Sequence, residues 1–256
     1  MSTAADTSLS HTLWSVWSWF AIGSTLLLGF PVLCVLFVVT APFDRRRYVT
    51  GRAFRLIGVT ATWLAPAWDF GVEGDLPEDK PRRTVCVSNH CSAADPFLLS
   101  YLPWEMKWLS KTSNFKIPFV GWMLRMAGDV EVVRGDSDSA KSAMARCRTW
   151  LERGVPVMIF PEGTRSKEGE LLPFKEGAFR LAIESGADIL PMAVCGTCTA
   201  LAKHDWRLHR TQARVRVGEP IATDGLTLDD VDALKAHARD VIEELRGQLR
   251  RSAPAS

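Results

Sequence analysis

From Leu13 to Phe43 the chain carries no charged residue. About twenty consecutive apolar residues are enough to cross a bilayer core, so this stretch restricts the fold more than any other feature. A cleaved secretory leader fits poorly. No basic segment precedes the run, the run is too long, and the arginines (Arg45, Arg46, Arg47, Arg52 and Arg55) follow it. Trp14, Trp17 and Trp19 cluster at its start, as tryptophans do at membrane–water boundaries. Basic residues beside an apolar segment stay in the cytoplasm, which puts residue 45 onward on the cytoplasmic side of a membrane.

Gly29 and Pro31 interrupt the run, and the proline predicts a kink or break. A second apolar stretch, Leu56–Trp68, follows the arginines. Two arrangements remain open. One is a single spanning helix. The other is a pair of helices dipping into one leaflet, with the arginines reaching headgroup phosphates. A buried core helix is disfavoured by the length. Residues 1–70 are expected to form a membrane anchor in contact with phospholipids.

The remainder reads as a globular domain over residues 71–251 and a disordered tail over 252–256. Net charge is only +2, so no global polycation exists to attract nucleic acid, and no nucleic-acid partner is expected. Short apolar runs at 84–88, 129–133, 155–160 and 189–194 predict strands. The last two are continuous runs expected of strands buried on both faces. Arg214–Val217 predicts a last, exposed strand. Ala140, Met144, Cys147 and Leu151 share one helical face ahead of Gly154. Helices are also predicted at 96–102, 176–184 and 229–249, the last opened by Thr227 and Asp230 in capping-box spacing. Strands alternating with helices predict an α/β fold: a mixed, largely parallel sheet flanked by helices, behind the N-terminal membrane-associated helical segment.

Ser88-Asn89-His90-Cys91-Ser92-Ala93-Ala94-Asp95-Pro96-Phe97 follows the first of these predicted strands, where α/β sheets present ligand sites. On one continuous helix His90 and Asp95 would point about 140° apart. They can meet only across a strand–loop–helix turn, with Asp95 capping the helix that Pro96 begins. A carboxylate on one imidazole nitrogen fixes the tautomer and leaves the other nitrogen to take a proton from an attacking hydroxyl. A loop histidine satisfied by a neighbouring capping aspartate gives the same two residues without chemistry.

Asn89-His90-x4-Asp95 resembles the signature of the glycerolipid acyltransferases, and the chain resembles the 1-acylglycerol-3-phosphate acyltransferase family. Further blocks follow in order: Lys111-x4-Lys116-Ile117-Pro118-Phe119-Val120-Gly121, Gly128-x5-Arg134, Phe160-Pro161-Glu162-Gly163-Thr164-Arg165-Ser166, and Leu190-Pro191-Met192-Ala193-Val194. The resemblance implies acyl transfer from acyl-CoA or acyl carrier protein to the free hydroxyl of 1-acylglycerol 3-phosphate, forming phosphatidic acid. It assigns His90 and Asp95 to catalysis. It assigns Glu162, Gly163, Thr164 and Arg165 to the acceptor's phosphate, helped by Arg134 and Lys111. It implies no cofactor beyond the thioester co-substrate and no metal.

Other acceptors share the chemistry: glycerol 3-phosphate, a lyso-ornithine lipid or another lysophospholipid. A non-catalytic lipid-binding protein is the reading from another class, and the intact His90–Asp95 pair argues against it. Arg165 could instead pair with Glu162 or Glu168. Cys195-x2-Cys198 suggests a redox or zinc motif, but no second pair matches it, and His204 and His209 are poorly placed. All six cysteines are expected to be reduced. No G-x-S-x-G elbow offers a nucleophile, so direct transfer is expected.

Overall fold

The computed structural model describes residues 3–166, 169–201 and 206–252. The predicted tail therefore lies outside the described residues, except for Ser252, which closes a helix.

Two helices come first, α1 (Thr3–Thr40) and α2 (Tyr48–Trp63). The helix α1 runs through Pro31 without a break. Proline costs about 3 kcal/mol in a helix interior, a loss this long apolar helix absorbs. At Gly29 the two helices touch: a Cβ there would lie 2.8 Å from Ile57 Cδ1. Only glycine permits this approach, so the residue that looked like an interruption is a contact point.

The sheet has seven strands in the order β1-β7-β6-β2-β5-β3-β4. They are β1 (Trp68–Val72), β2 (Thr84–Ser88), β3 (Lys107–Lys111), β4 (Val130–Val132), β5 (Val157–Ile159), β6 (Asp188–Cys195) and β7 (Thr211–Val217). All pair in parallel except β6 with β7. The mixed, mostly parallel sheet expected from the sequence is therefore present.

Three expectations need correction. The sheet begins at Trp68, inside the segment composition assigned to the anchor, because Trp68 and Phe70 turn into the core as β1. The strand at β7 is interior instead of exposed, since β1 covers its outer edge. Strand β3 was not foreseen: its Lys107 is fully buried, and a buried lysine hides a strand from any hydropathy pattern.

Side chains alternate between two cores. Val85, Val87, Val157 and Ile159 face one side; Cys86, Met158, Leu190 and Met192 face the other. The first side packs against α6 (Ser137–Glu152), α7 (Gly177–Ser185) and α9 (Val231–Ser252). Asp136 caps α6 by accepting from Asp138 and Ser139 N–H groups. The second side packs against α3 (Asp95–Leu99) and the α1–α2 pair. Shorter helices α4 (Thr112–Phe115), α5 (Val120–Ala127) and α8 (Thr197–Ala200) fill the remaining connections.

Four buried charges join α2 to the sheet. Arg55 bonds Asp129 Oδ1 at 2.5 Å and faces Glu105 at 3.7 Å. Lys107 Nζ donates to Glu105 Oε1 at 3.0 Å and to the Arg47 carbonyl at 2.8 Å. Two cations balance two anions, which is the condition for burying any of them.

Candidate active site

Strand β2 pairs with β6 as far as Ser88 and Met192. Asn89 then leaves the ladder but replaces it with its side chain, donating to the Val194 carbonyl and accepting from the Val194 N–H. This pins the loop that follows. His90 comes next, and its backbone is held on both sides by the turn after β5. Its N–H donates to Glu162 Oε1 at 2.8 Å, and its carbonyl accepts from Ser166 N at 2.9 Å. The Phe160 ring lies nearly parallel to the imidazole, with centroids 4.0 Å apart.

His90 Nδ1 is 2.7 Å from Asp95 Oδ2. Asp95 is fully buried. It is the first residue of α3, not its cap, because Ala94 holds that position. Its carboxylate instead turns back and accepts from Cys91 N and Ser92 N, both at 2.9 Å, and from Thr197 Oγ1 at 2.5 Å. Four donors, Cys91 N, Ser92 N, Thr197 Oγ1 and His90 Nδ1, converge on this buried carboxylate. A carboxylate facing so many donors acts as the acceptor from Nδ1–H, which leaves Nε2 free to accept a proton.

The cationic residues arrive from three neighbouring strand ends. Strands β5, β3 and β4 are adjacent and parallel. Lys111 closes β3, Arg134 lies just past β4, and Arg165 just past β5. All three are exposed. Partial desolvation, and then the charge of Arg165, push the Arg134 guanidinium below its usual range, so these two cations share one neighbourhood. Lys111 and Thr164 sit on the same rim, and no hydrogen bond or ion pair ties them to Arg165 among the described residues. Arg165 forms no ion pair there either, with Glu162 or otherwise; Glu168 lies outside the described residues.

Glu162 was grouped with the phosphate-holding residues, yet its carboxylate faces inward, 4% exposed. One oxygen takes the His90 N–H and the other the Leu172 N–H at 3.2 Å. A carboxyl so committed braces the His90 loop and does not face the cationic rim. Burial pushes its pKa up to about 7, against the lowering effect of those two N–H groups. Gly163 turns at φ 67°, and a Cβ there would meet the Lys175 side chain at 2.9 Å. Lys175 is thus another cation at this turn.

Sequence reasoning missed Thr197, Lys175 and the stacking of Phe160. It also took all cysteines as reduced, whereas Cys91 and Cys198 form a disulfide with Cα atoms 5.2 Å apart. The fold brings together two residues 107 apart in sequence, which no local pattern reveals. Cys198 is thereby withdrawn from the Cys195-x2-Cys198 pair. Among the described residues no group of His, Cys, Asp or Glu could hold a metal; His204 lies outside them.

Known proteins resemble this chain in sequence and in fold. The family described as Acyltransferase matches residues 71–195. A 1-acyl-sn-glycerol-3-phosphate acyltransferase of Haemophilus influenzae is 30% identical over 201 residues, covering 75% of this chain and 82% of that one. The chain belongs to the 1-acyl-sn-glycerol-3-phosphate acyltransferase family. A member from Chlamydomonas reinhardtii is 37% identical over 180 residues, covering 68% of this chain and 53% of that one. The chain spans about half the length of this algal member and of the chloroplastic members from Brassica napus and Arabidopsis thaliana that it matches. The fold is that of the crystal structure of the 1-acyl-sn-glycerophosphate acyltransferase PlsC from Thermotoga maritima. The TM-score is 0.80 at 24% identity, with 97% of this chain and 99% of that one covered.

Proposed function

We propose that this protein acylates the free hydroxyl of 1-acylglycerol 3-phosphate with an acyl thioester, yielding phosphatidic acid. The observation that carries the chemistry is the His90–Asp95 contact at 2.7 Å with Nδ1 engaged. His90 Nε2 takes the hydroxyl proton as the oxygen attacks the thioester carbonyl. The C–S bond breaks, and the departing thiolate recovers a proton from the imidazolium. Asp95 stabilises that imidazolium while it exists. Such a base contributes on the order of a hundred- to ten-thousandfold in rate. The donor is acyl-CoA or acyl carrier protein, and no cofactor or metal takes part.

The acceptor's phosphate lies on the rim of Arg165, Arg134 and Lys111, with the Gly163-Thr164 turn beside it. Arginine presents paired donors that match phosphate oxygens. Lys175 extends the same cationic rim.

The protein sits on the cytoplasmic face of a membrane, in one leaflet. Helix α1 includes a 29-residue stretch, Thr12–Thr40, long and apolar enough to cross. Yet contacts to the globular domain are spread along it. Ser15 bonds the Leu208 backbone, Phe30 packs on Phe119, and Arg47, beyond its end, bonds carbonyls of α5. Its outward face is apolar throughout, from Leu13 and Phe20 through Leu28 and Val35 to Val39. A helix docked along its length lies in the interface and does not leave it. A site there spares moving acyl chains through water, about 0.8 kcal/mol per methylene.

The test is an assay of purified protein with lysophosphatidic acid, glycerol 3-phosphate and other lysolipids, using both donor types. Lysophosphatidic acid should be the preferred acceptor. His90→Ala should abolish transfer with an unchanged circular dichroism spectrum, and Arg165→Ala should mainly raise the acceptor KM. Wild-type turnover in His90→Ala would remove the mechanism, and a loss confined to donor affinity in Arg165→Ala would remove the phosphate assignment.

A further inference from the structure

A second cationic site lies far from His90. The catalytic loop leaves the sheet where β2 ends. At the opposite end, where β3 and β5 begin, the α1–α2 turn meets the C-terminal end of α6. There Arg45, Arg46, Arg47 and Arg153, with Asp44 and Glu152, line a cleft of about 610 Å³. The formal balance of those six side chains is two positive charges in excess.

Two of the arginines are already used. Arg47 donates to the Arg125 and Met126 carbonyls and stacks on Phe37 at 4.8 Å. Arg153 stacks on Trp150 at 4.9 Å and reaches the Arg45 carbonyl at 3.4 Å. The Asp44 carboxylate is spent on the Tyr48 and Val49 N–H groups at the start of α2. Arg45 and Arg46 are exposed, and their guanidiniums have no hydrogen bond or ion pair among the described residues. Burial lowers the pKa of Arg47, Asp44 raises it, and the charge of Arg153 lowers it by a smaller amount. The cleft thus gathers four cations against the two carboxylates of Asp44 and Glu152, with Arg45 and Arg46 left for an outside anion.

Its surroundings indicate which anion. Val35, Val38 and Val39 form an exposed apolar row on α1 leading to the cleft, and Phe43, 72% exposed, stands at its edge. A free phosphate has no use for such a shoulder, whereas an anionic lipid places its headgroup on the guanidiniums and its chains along the row. We propose that this cleft is a binding site for the phosphate of an anionic glycerophospholipid, separate from the acyl-acceptor site and acting to seat the protein on anionic membrane. The proposal rests on attachment to one leaflet through α1 and α2.

The experiment is vesicle co-sedimentation of the full chain. Vesicles are phosphatidylcholine alone, or phosphatidylcholine with phosphatidic acid or phosphatidylglycerol. Proteins are the wild type, Arg45→Ala/Arg46→Ala, Arg153→Ala, and Arg250→Ala/Arg251→Ala as a charge-matched control on α9. Binding to phosphatidylcholine alone reports the anchor, and should be equal in all four. Its absence would overturn membrane attachment itself, not the cleft. Anionic lipid should strengthen wild-type binding. That gain should fall about fivefold for each cleft arginine removed and persist in the control. An equal fall in the control would mean diffuse charge and no site. An undiminished gain in the cleft variants, or full competition by millimolar inorganic phosphate, would overturn the lipid assignment.

Discussion

The Thr197 hydroxyl donates to Asp95 Oδ1 at 2.5 Å, on the oxygen opposite the one that meets His90. Both residues are fully buried. Thr197 therefore positions the carboxylate without touching substrate. A hydrogen bond to a charged group is worth about 1.5–3 kcal/mol. Thr197→Val should lower kcat by about ten- to a hundredfold with KM little changed, and Thr197→Ser should restore most of it. Steady-state kinetics on the three proteins checks this; an unchanged kcat in the valine variant refutes it.

Glu162 makes stability depend on pH in a defined window. Its folded pKa of about 7 lies above the ordinary 4.5. Between those values the unfolded chain releases the proton while the folded chain keeps it. This group therefore withdraws stability progressively as pH rises through the window, and the loss is complete above about 7. Glu162→Gln removes that dependence, an effect on the order of 2 kcal/mol. Melting curves across the window should show the variant gaining on the wild type as pH rises. Parallel curves would show that Glu162 does not titrate there.

The Cys91–Cys198 disulfide closes a loop of about a hundred residues, a constraint worth roughly 4–5 kcal/mol in the chain-entropy account. Reductant should lower Tm by about 10 °C, and Cys91→Ser/Cys198→Ser should melt at that lower value with or without reductant. Turnover below the melting range should survive, because backbone hydrogen bonds, not the sulfur, hold Asp95. Scanning calorimetry with and without reductant decides the matter.

Glu105 sits between Lys107 and Arg55 with no exposure. Burial pushes its pKa up and that of Lys107 down, against the attraction between them. Glu105→Ala leaves two buried cations facing Asp129 alone and should destabilise the fold by about 3–5 kcal/mol. Denaturant unfolding would show it as a lower midpoint. A neutral result would mean that water reaches these groups.

The sequence alone determined the elements whose signals are local. Unbroken apolar runs announced β5 and β6, helical spacing announced α6, and Thr227 with Asp230 announced the start of the last helix as a capping box. The five motif blocks were legible because each is short and their order is fixed. Other features depend on residues far apart in the chain. Strand β3 was hidden by a lysine whose charge is matched only across the fold, and β7 became interior only when β1 paired with it. Thr197 reaches Asp95 across 102 positions, and Cys91 meets Cys198 across 107. Glu162 looked like a ligand residue until the fold turned it toward the His90 N–H. Periodicity records which face of its own element a residue occupies. Which partner waits on that face is decided by the crossing of distant elements, and only the tertiary structure contains that.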